Sequence, residues 1–195
     1  MTDDEVLELD DPRAMRALAH PLRLRLLGML RVQGPATASI LAERVDEAPS
    51  LISYHLRKLG EHGFVTEAPD ESSDGRERWW RSTHVRTRWS SAKPSDDPQR
   101  RIASTLLDRE IHARYAAALD EWLVERDAWA VEWHDAAFTS DWNLRLSATD
   151  LTALRQELFA VVERYATMPE QRDDQPAGHQ QVAVQLHGIP RVTRD

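Results

Sequence analysis

The chain has 195 residues, of which 41% are hydrophobic and 30% charged, and it contains no cysteine. This length and composition are typical of one or two globular domains with a buried core. The lack of cysteine excludes disulfides, thiolate metal sites and cysteine nucleophiles. No stretch of 18 apolar residues occurs, and the acidic N-terminus is unlike a secretion signal. We therefore expect a cytoplasmic protein with no membrane partner.

Charge is distributed unevenly along the chain, whose net charge is −8. Residues 13–93 hold 14 Lys and Arg against 9 Asp and Glu, whereas residues 1–12 hold six acids and no base. Residues 94–195 hold 18 acids against 11 bases. A basic segment between two acidic flanks predicts that these parts of the chain have different functions.

Proline and glycine divide the first part of the chain into short helices. Asp11 followed by Pro12 predicts a capped helix, and Pro21 opens a second helix that ends at Gly34. The apolar stripe of the second helix consists of Leu22, Leu26, Leu27 and Leu30. Its arginines are predicted to point away from that stripe: Arg23, Arg25 and Arg31. Thr37 caps a short third helix that runs to about residue 45.

The stretch SLISYHLRKLGEHGFV, residues 50–65, predicts a helix with two different sides. At 100° per residue, Ile52, Leu56 and Leu59 share one apolar face. The opposite, polar side consists of Ser50, Tyr54, Arg57 and Lys58, with Ser53 on its flank. Gly63 is predicted to end the helical run, because glycine accepts the left-handed conformation found there.

The segments FVTEA and RWWRS predict two strands around the polar loop PDESSDGRE, which together make a hairpin. Helices in this order, followed by a hairpin, have the proportions of a helix-turn-helix with a wing. A helix of about 12 residues fits the major groove of B-DNA, so we expect double-stranded DNA as the partner. The side chains predicted to contact phosphates or base edges are Thr37, Ser39, Ser50, Ser53, Tyr54, Arg57, Lys58, Arg76 and Arg78.

The segments ALAHPLRLRLLGML and LAERVDEAPSLISYHLRKLGEHGFV, with the hairpin that follows, resemble the winged helix-turn-helix of ArsR-type bacterial transcriptional regulators. SYHLRKL is the most specific part of a resemblance that covers about residues 13–85. It implies a homodimer that binds a pseudo-palindromic operator and usually represses. By that likeness, the recognition helix meets DNA through Ser53, Tyr54, Arg57 and Lys58. His55 is expected to pack at the helix flank or touch phosphate rather than bind metal.

The sequence departs from that family at the metal sites. Metal-sensing members of the family carry a cysteine pair near the recognition helix, and this chain has no cysteine. Other members use acids and histidines on the long dimer helix, where Asp108, Glu110 and His112 are the nearest candidates here. A carboxylate and an imidazole four residues apart suit zinc or nickel, but these residues are also typical of a solvated helix face, which we favour. We predict no metal site and no cofactor.

Asp97 followed by Pro98 starts a long predicted helix, which runs to about residue 133 with a break expected within 126–140. Its apolar residues recur mostly at three-, four- and seven-residue steps: Ile102, Leu106, Ile111, Tyr115, Leu119, Trp122, Trp129 and Trp133. A helix roughly 54 Å long rarely stands alone in a small protein. We expect it to pair with a second copy of the chain.

Alternating apolar residues predict strands at 142–146 and 181–188, and SATD, residues 147–150, loosely matches a capping box that opens a helix between them. The tail is therefore predicted to be β-α-β. The aromatic residues of the second half are explained either by core and dimer packing or by a pocket for an apolar small molecule. The candidate pocket residues are Tyr115, Trp122, Trp129, Trp133 and Trp142.

The predicted fold is mainly α with small β: an acidic arm at 1–11, a winged helix-turn-helix domain at 12–93, and a dimerisation and effector-binding region at 94–195. We expect a sequence-specific, homodimeric repressor that a small-molecule signal releases. The alternative is a protein-interaction module on a winged-helix fold that no longer binds DNA. An enzyme is not expected, because the sequence shows no glycine-rich phosphate loop, no Ser-His-Asp arrangement and no HExxH.

Overall fold

The computed structural model of the chain describes residues 6–71, 77–89, 95–166 and 180–191. The chain is mainly helical with small sheets, and it divides into two compact units, Met1–Glu125 and Arg126–Asp195. The boundaries predicted near residues 12 and 94 both fall inside the first unit. In the described residues, no helix combines the length and the apolar character that crossing a membrane requires.

The first half of the first unit contains four helices, as predicted: α1 (Pro12–Leu18), α2 (Pro21–Val32), α3 (Ala38–Val45) and α4 (Pro49–Gly60). The Asp11 carboxylate caps α1 by accepting from the backbone N–H of Arg13 at 2.9 Å. The Thr37 hydroxyl caps α3 by accepting from the N–H of Ile40 at 3.2 Å. α4 ends at Gly60, three residues before the predicted stop, and Gly63 adopts a φ of 73° in the turn that follows.

A three-residue turn joins α3 to α4. Asp46 lies in the left-handed region, with a φ of 56°, which aspartate tolerates better than most side chains. The N–H of Glu47 donates back to the carbonyl of Ala42 at 3.1 Å, and Pro49 then starts α4 with its fixed φ. This tight turn packs the two helices of the helix-turn-helix against each other.

The predicted hairpin is present, and a short strand that was not predicted extends it. β3 (Val65–Glu67) and β4 (Trp79–Ser82) pair antiparallel, with Thr66 opposite Arg81. β2 (Ala36–Thr37) pairs with the other edge of β4, so that the sheet order is β2-β4-β3. The sheet therefore joins the start of α3 to the wing.

The acidic N-terminal arm is partly built into the fold, which the sequence did not predict. β1 (Val6–Glu8) pairs in parallel with β5 (Arg86–Arg88), and the Glu8 carboxylate lies 2.9 Å from the Arg88 guanidinium. Leu9, the residue that follows, is buried.

The core of the first unit lies between α1, α2, α3, α4 and the start of α5 (Pro98–Glu125). Its fully buried large side chains are Met15, Leu18, Leu26, Leu27, Leu41, Ile52, Leu56, Leu59, Phe64 and Leu107. The apolar face predicted for α4 is therefore confirmed. α5 packs on α1, but its last buried residue is Ile111. The helix ends in a 3-10 turn at Arg126–Ala128, so the break predicted within 126–140 is confirmed.

The second unit contains α6 (Val131–Ala136) and α7 (Ala148–Ala166), and the two predicted tail strands are wrong. Residues 141–147 and 180–191 form neither helix nor strand. They touch through a side-chain hydrogen bond from Arg191 to Asn143 at 2.8 Å, without the backbone ladder that a strand needs. The capping box at the start of α7 is confirmed: the N–H of Asp150 donates to the Ser147 hydroxyl and the N–H of Ser147 to the Asp150 carboxylate.

The burial of one face of α4 predicts that truncating two leucines of the same helix has very different effects on the free energy of unfolding. Leu56 is fully buried, so Leu56→Ala should leave a cavity and lower the free energy of unfolding by about 2–5 kcal/mol. Leu51→Ala is the matched control, because 37% of Leu51 is exposed, and its cost should stay within about 1 kcal/mol. Urea denaturation followed by circular dichroism measures both. Equal losses would contradict the described packing of α4.

Candidate nucleic-acid interface

The side of α4 that faces away from the core carries the polar residues predicted from the sequence. Ser50, Tyr54 and Arg57 are exposed, and Ser53 and Lys58 are partly exposed. The apolar face opposite them fixes this orientation, because a helix with one buried face cannot turn without exposing it.

A groove of about 500 Å3 opens beside this side of α4, and side chains from three elements line it. The start of α3, the middle of α4 and the wing contribute Thr37, Ser39, Ser53, Arg57, Glu77 and Arg78. Five of the nine residues predicted to contact DNA therefore lie around one concave surface. Ser50, Tyr54 and Lys58 belong to α4 outside the groove lining, and Arg76 lies outside the described residues.

Thr37 differs from its predicted role as an exposed hydroxyl. It is 4% exposed, and its hydroxyl oxygen holds the N–H of Ile40 as the cap of α3. A capping side chain is turned toward its own helix, so little of Thr37 faces the groove. Ser39, two residues further along, is exposed and lines the same groove. It is the better placed of the two hydroxyls.

The two outer cations at this surface are held by weak ion pairs. Lys58 lies 2.8 Å from the Glu61 carboxylate, and the hydrogen bond between them raises the pKa of Lys58 above its ordinary value. Arg78 lies 3.3 Å from the Glu67 carboxylate. Both pairs are exposed, and exposed pairs contribute little to stability because water and salt screen them. A phosphate group can therefore replace either carboxylate at little cost.

Arg57, in contrast, makes no ion pair within the described residues. Its Nε donates to the backbone carbonyl of Ser53 at 3.2 Å, one turn earlier in α4. This bond directs the guanidinium along the helix and leaves its terminal nitrogens available. Arg57 is therefore the cation of the groove whose terminal nitrogens are most available to donate hydrogen bonds to a ligand.

Arg81 is a structural residue of this surface that the sequence did not reveal. It pairs with Asp70 and lies 3.6 Å from Glu71, both in the 3-10 turn Pro69–Glu71. The hydrogen bond from Arg81 lowers the pKa of Asp70. These contacts tie the turn after β3 to β4 and so support the base of the wing.

Two histidines pack together beneath the exposed side of α4. His55 is 5% exposed, and its ring centroid lies 4.6 Å from that of His20, the residue before α2. Neither Nδ1 has a hydrogen-bond partner within the described residues. Burial lowers the pKa of both imidazoles, and the nearby Arg23 lowers each of them further, whereas Glu110 opposes the shift at His20. His55 thus packs at the flank of the helix, as expected.

The candidate effector pocket is only partly assembled. Trp129 and Trp133 meet edge to face, with ring centroids 6.1 Å apart, in the second unit. Trp142 is in the same unit but is 75% exposed, and Tyr115 and Trp122 belong to α5 in the first unit. The pocket therefore stays a prediction.

The metal candidates on α5 have other contacts or no cluster around them. Asp108 accepts a hydrogen bond from the Trp89 indole N–H at 2.9 Å. In the part of the chain that the structure describes, no group of three or more histidine and carboxylate side chains is placed to hold a metal ion.

Residues 18–68 match the family model for a helix-turn-helix domain. This range runs from the end of α1 to the end of the first wing strand, so the segment that holds α2, α3 and α4 is a helix-turn-helix domain. No curated protein matches the chain.

Several solved structures are similar to the chain. A possible transcriptional regulator for arsenical resistance is 29% identical over 60% of this chain and 96% of its own, with a TM-score of 0.32. A double mutant of Lactococcus lactis ZitR in apo form is 12% identical over 75% of this chain and 83% of its own, with a TM-score of 0.34. A transcriptional regulator from Thermotoga maritima is 15% identical over 80% and 90%, with a TM-score of 0.32.

The packed pair of His20 and His55 predicts that the stability of the fold is sensitive to acid. Because the folded-state pKa of each imidazole lies below the unfolded value of about 6.5, the unfolded chain takes up protons first as the pH falls. The free energy of unfolding should therefore decrease as the pH drops below about 6.5. Urea titrations between pH 7.5 and pH 5, as rough limits, measure this slope.

His55→Gln should flatten that slope, because it removes one member of the pair and the repulsion between the two charged rings. His62→Gln is the control, since His62 lies outside the pair, just after α4. A slope that His55→Gln leaves unchanged would mean that other groups cause the acid sensitivity.

Proposed function

We propose that the protein is a sequence-specific DNA-binding transcriptional regulator in which α4 enters the major groove and the wing contacts the neighbouring backbone. The carrying observation is the groove that brings Ser39, Ser53, Arg57 and Arg78 together beside α4. Hydroxyls and guanidinium groups are the donors that proteins use for phosphate oxygens and base edges. A helix-turn-helix domain at residues 18–68 supports the same conclusion.

Each part of this surface has a separate task in the proposal. Arg57 and Tyr54, on the exposed side of α4, meet base edges, because the middle of a recognition helix lies deepest in the groove. Ser39 and the first backbone N–H groups of α3 bind phosphate. Lys58 and Arg78 exchange their carboxylate partners for phosphates at the edges of the contact.

The regulator acts as a homodimer in this proposal, with α5 as the dimer helix. No residue of α5 after Ile111 is buried, and Leu119 and Leu123 are 41% and 51% exposed, one turn apart. Exposed leucines in line along a helix favour pairing with another helix. Two copies would present two α4 helices to a pseudo-palindromic operator.

Repression and release by an apolar small molecule complete the proposal. The edge-to-face contact of Trp129 and Trp133 supports an aromatic site in the second unit, since such pairs line apolar ligand sites. A ligand that binds one arrangement of the dimer better than another would shift the operator affinity.

Selection of bound fragments from a random DNA pool, followed by gel-shift assays over a salt series, tests this proposal. A DNA-binding regulator enriches a palindromic sequence, and its affinity falls steeply with salt because phosphate contacts release counterions. An interaction module that no longer binds DNA gives no enriched sequence and no shift at any salt concentration. That result would favour the alternative function.

Arg57→Ala should weaken operator binding by about 1–3 kcal/mol and relax the preference at one base position, if Arg57 donates to a guanine. Arg57 is exposed, so the variant should unfold at the same temperature as the wild type. Arg109→Ala, which removes one exposed arginine from α5, is the matched control and should bind the operator normally. Gel-shift titration measures the operator affinity of the wild type and of both variants. Equal losses of affinity in the two variants would indicate only a general effect of charge.

Leu119→Asp should dissociate the dimer, because it places a charge in the proposed apolar contact between the two α5 helices. Ala117→Asp is the control, since it adds the same charge about 160° around the helix. Light scattering across a concentration series measures the mass. A Leu119→Asp variant that stays dimeric would contradict α5 as the dimer helix.

A further inference from the structure

Two arginines lie between α2 and α5, and neither belongs to the residues of the proposed DNA contact. Arg31, near the end of α2, donates from Nε to the carbonyl of His84 at 3.0 Å and from a terminal nitrogen to the Thr87 hydroxyl at 2.7 Å. Arg114, on α5, donates to the carbonyl of Leu24 at 2.7 Å. Among the described residues, neither guanidinium pairs with a carboxylate.

Gly28 allows this close approach. A Cβ at residue 28 would lie 2.6 Å from one terminal nitrogen of Arg114 and 3.0 Å from the other. Residues 28 and 31 lie on the same face of α2, three positions apart, so the bare backbone at Gly28 lets Arg114 lie against the helix beside Arg31. Glycine inside a helix is less favourable than alanine, and here its missing side chain has a structural use.

The arrangement leaves two like charges with unused donors. Burial, and after it the charge of Arg114, lowers the pKa of Arg31 to about 10, so both side chains stay charged at neutral pH. Arg31 keeps one terminal nitrogen, and Arg114 keeps its Nε and one terminal nitrogen, without a hydrogen-bond partner among the described residues. Planar guanidinium donors match the oxygens of carboxylate and phosphate.

We propose that Arg31 and Arg114 form a binding site for an oxyanion, the carboxylate or phosphate group of a small solute. The anion accepts hydrogen bonds from both guanidinium groups and removes their mutual repulsion. Because Arg31 already holds His84 and Thr87, a bound oxyanion links α5, through α2, to β5 and the loop before it. The site does not depend on the proposed DNA contact.

Thermal unfolding of the full chain in sodium phosphate and in sodium chloride, at equal ionic strength, tests the site. Phosphate raises the Tm of many proteins by exclusion from their surface, so the difference between variants is the readout. The rise in Tm from sodium chloride to sodium phosphate should be larger for the wild type than for Arg114→Gln by roughly 2–4 °C. Arg109→Gln, which removes one exposed arginine from the same helix, should behave like the wild type. Equal gains in all three proteins would overturn the proposal.

Gly28→Ala is the second variant, because it displaces the Arg114 guanidinium and keeps both charges. It should lose the same part of the phosphate gain as Arg114→Gln. A Gly28→Ala protein with the full gain would contradict the described approach of Arg114 to α2.

A carboxylate of a second copy of the chain has the same chemistry as a free oxyanion, and sedimentation velocity separates the two sources. With a free oxyanion, Arg114→Gln leaves the sedimentation coefficient unchanged. The site would instead belong to a second copy of the chain if two results are found together. Phosphate would give the wild type no larger rise in Tm than the variants, and the dimer would dissociate in Arg114→Gln but not in Arg109→Gln. That outcome would overturn a site for a free solute.

Discussion

The burial of one face of α4 is the constraint on which the rest of the surface depends. Ile52, Leu56 and Leu59 are each fully buried, and burial of such a side chain contributes about 1.5–3 kcal/mol. Rotation of the helix by a third of a turn would return much of that area to water. The buried face of the helix therefore determines that Tyr54 and Arg57 face solvent.

The groove beside α4 follows from two other connections. The three-residue turn through Asp46 fixes α3 against α4, and the pairing of β2 with β4 ties the start of α3 to the wing. Arg81 then holds the turn after β3 against β4. Side chains that are far apart in the sequence, such as Ser39 and Arg78, therefore line the same groove.

The electrostatics of this surface favour exchange over permanent pairing. Glu61 and Glu67 neutralise Lys58 and Arg78 in the free protein, and Glu77 lies in the groove itself. Exposed pairs of this kind are weak, and a duplex offers a phosphate every few ångströms together with counterion release. In the proposed complex with DNA, phosphates therefore replace these carboxylates.

The sequence predicts the parts of the fold whose signals are local. Asp11 and Thr37 cap their helices, and the period of the apolar residues in α4 gives the correct buried face, because these patterns act within a few residues. The pairing of β1 with β5 was missed, because three-residue strands about 80 positions apart leave no local pattern. Arg31 was predicted only to point away from the core, since its acceptors, His84 and Thr87, lie in a distant segment.

The wrong strands of the tail have a physical reason that also bears on assembly. Alternation at Trp142, Leu144 and Leu146 marks one apolar side, but a strand also needs a neighbour that accepts its backbone hydrogen bonds. In the described part of the second unit no residue is buried, and these three side chains are 75%, 60% and 45% exposed. An apolar pattern without a covering layer is typical of a surface that is completed by another molecule. The same reasoning applies to the end of α5, where Leu119 and Leu123 extend beyond the core of their own unit.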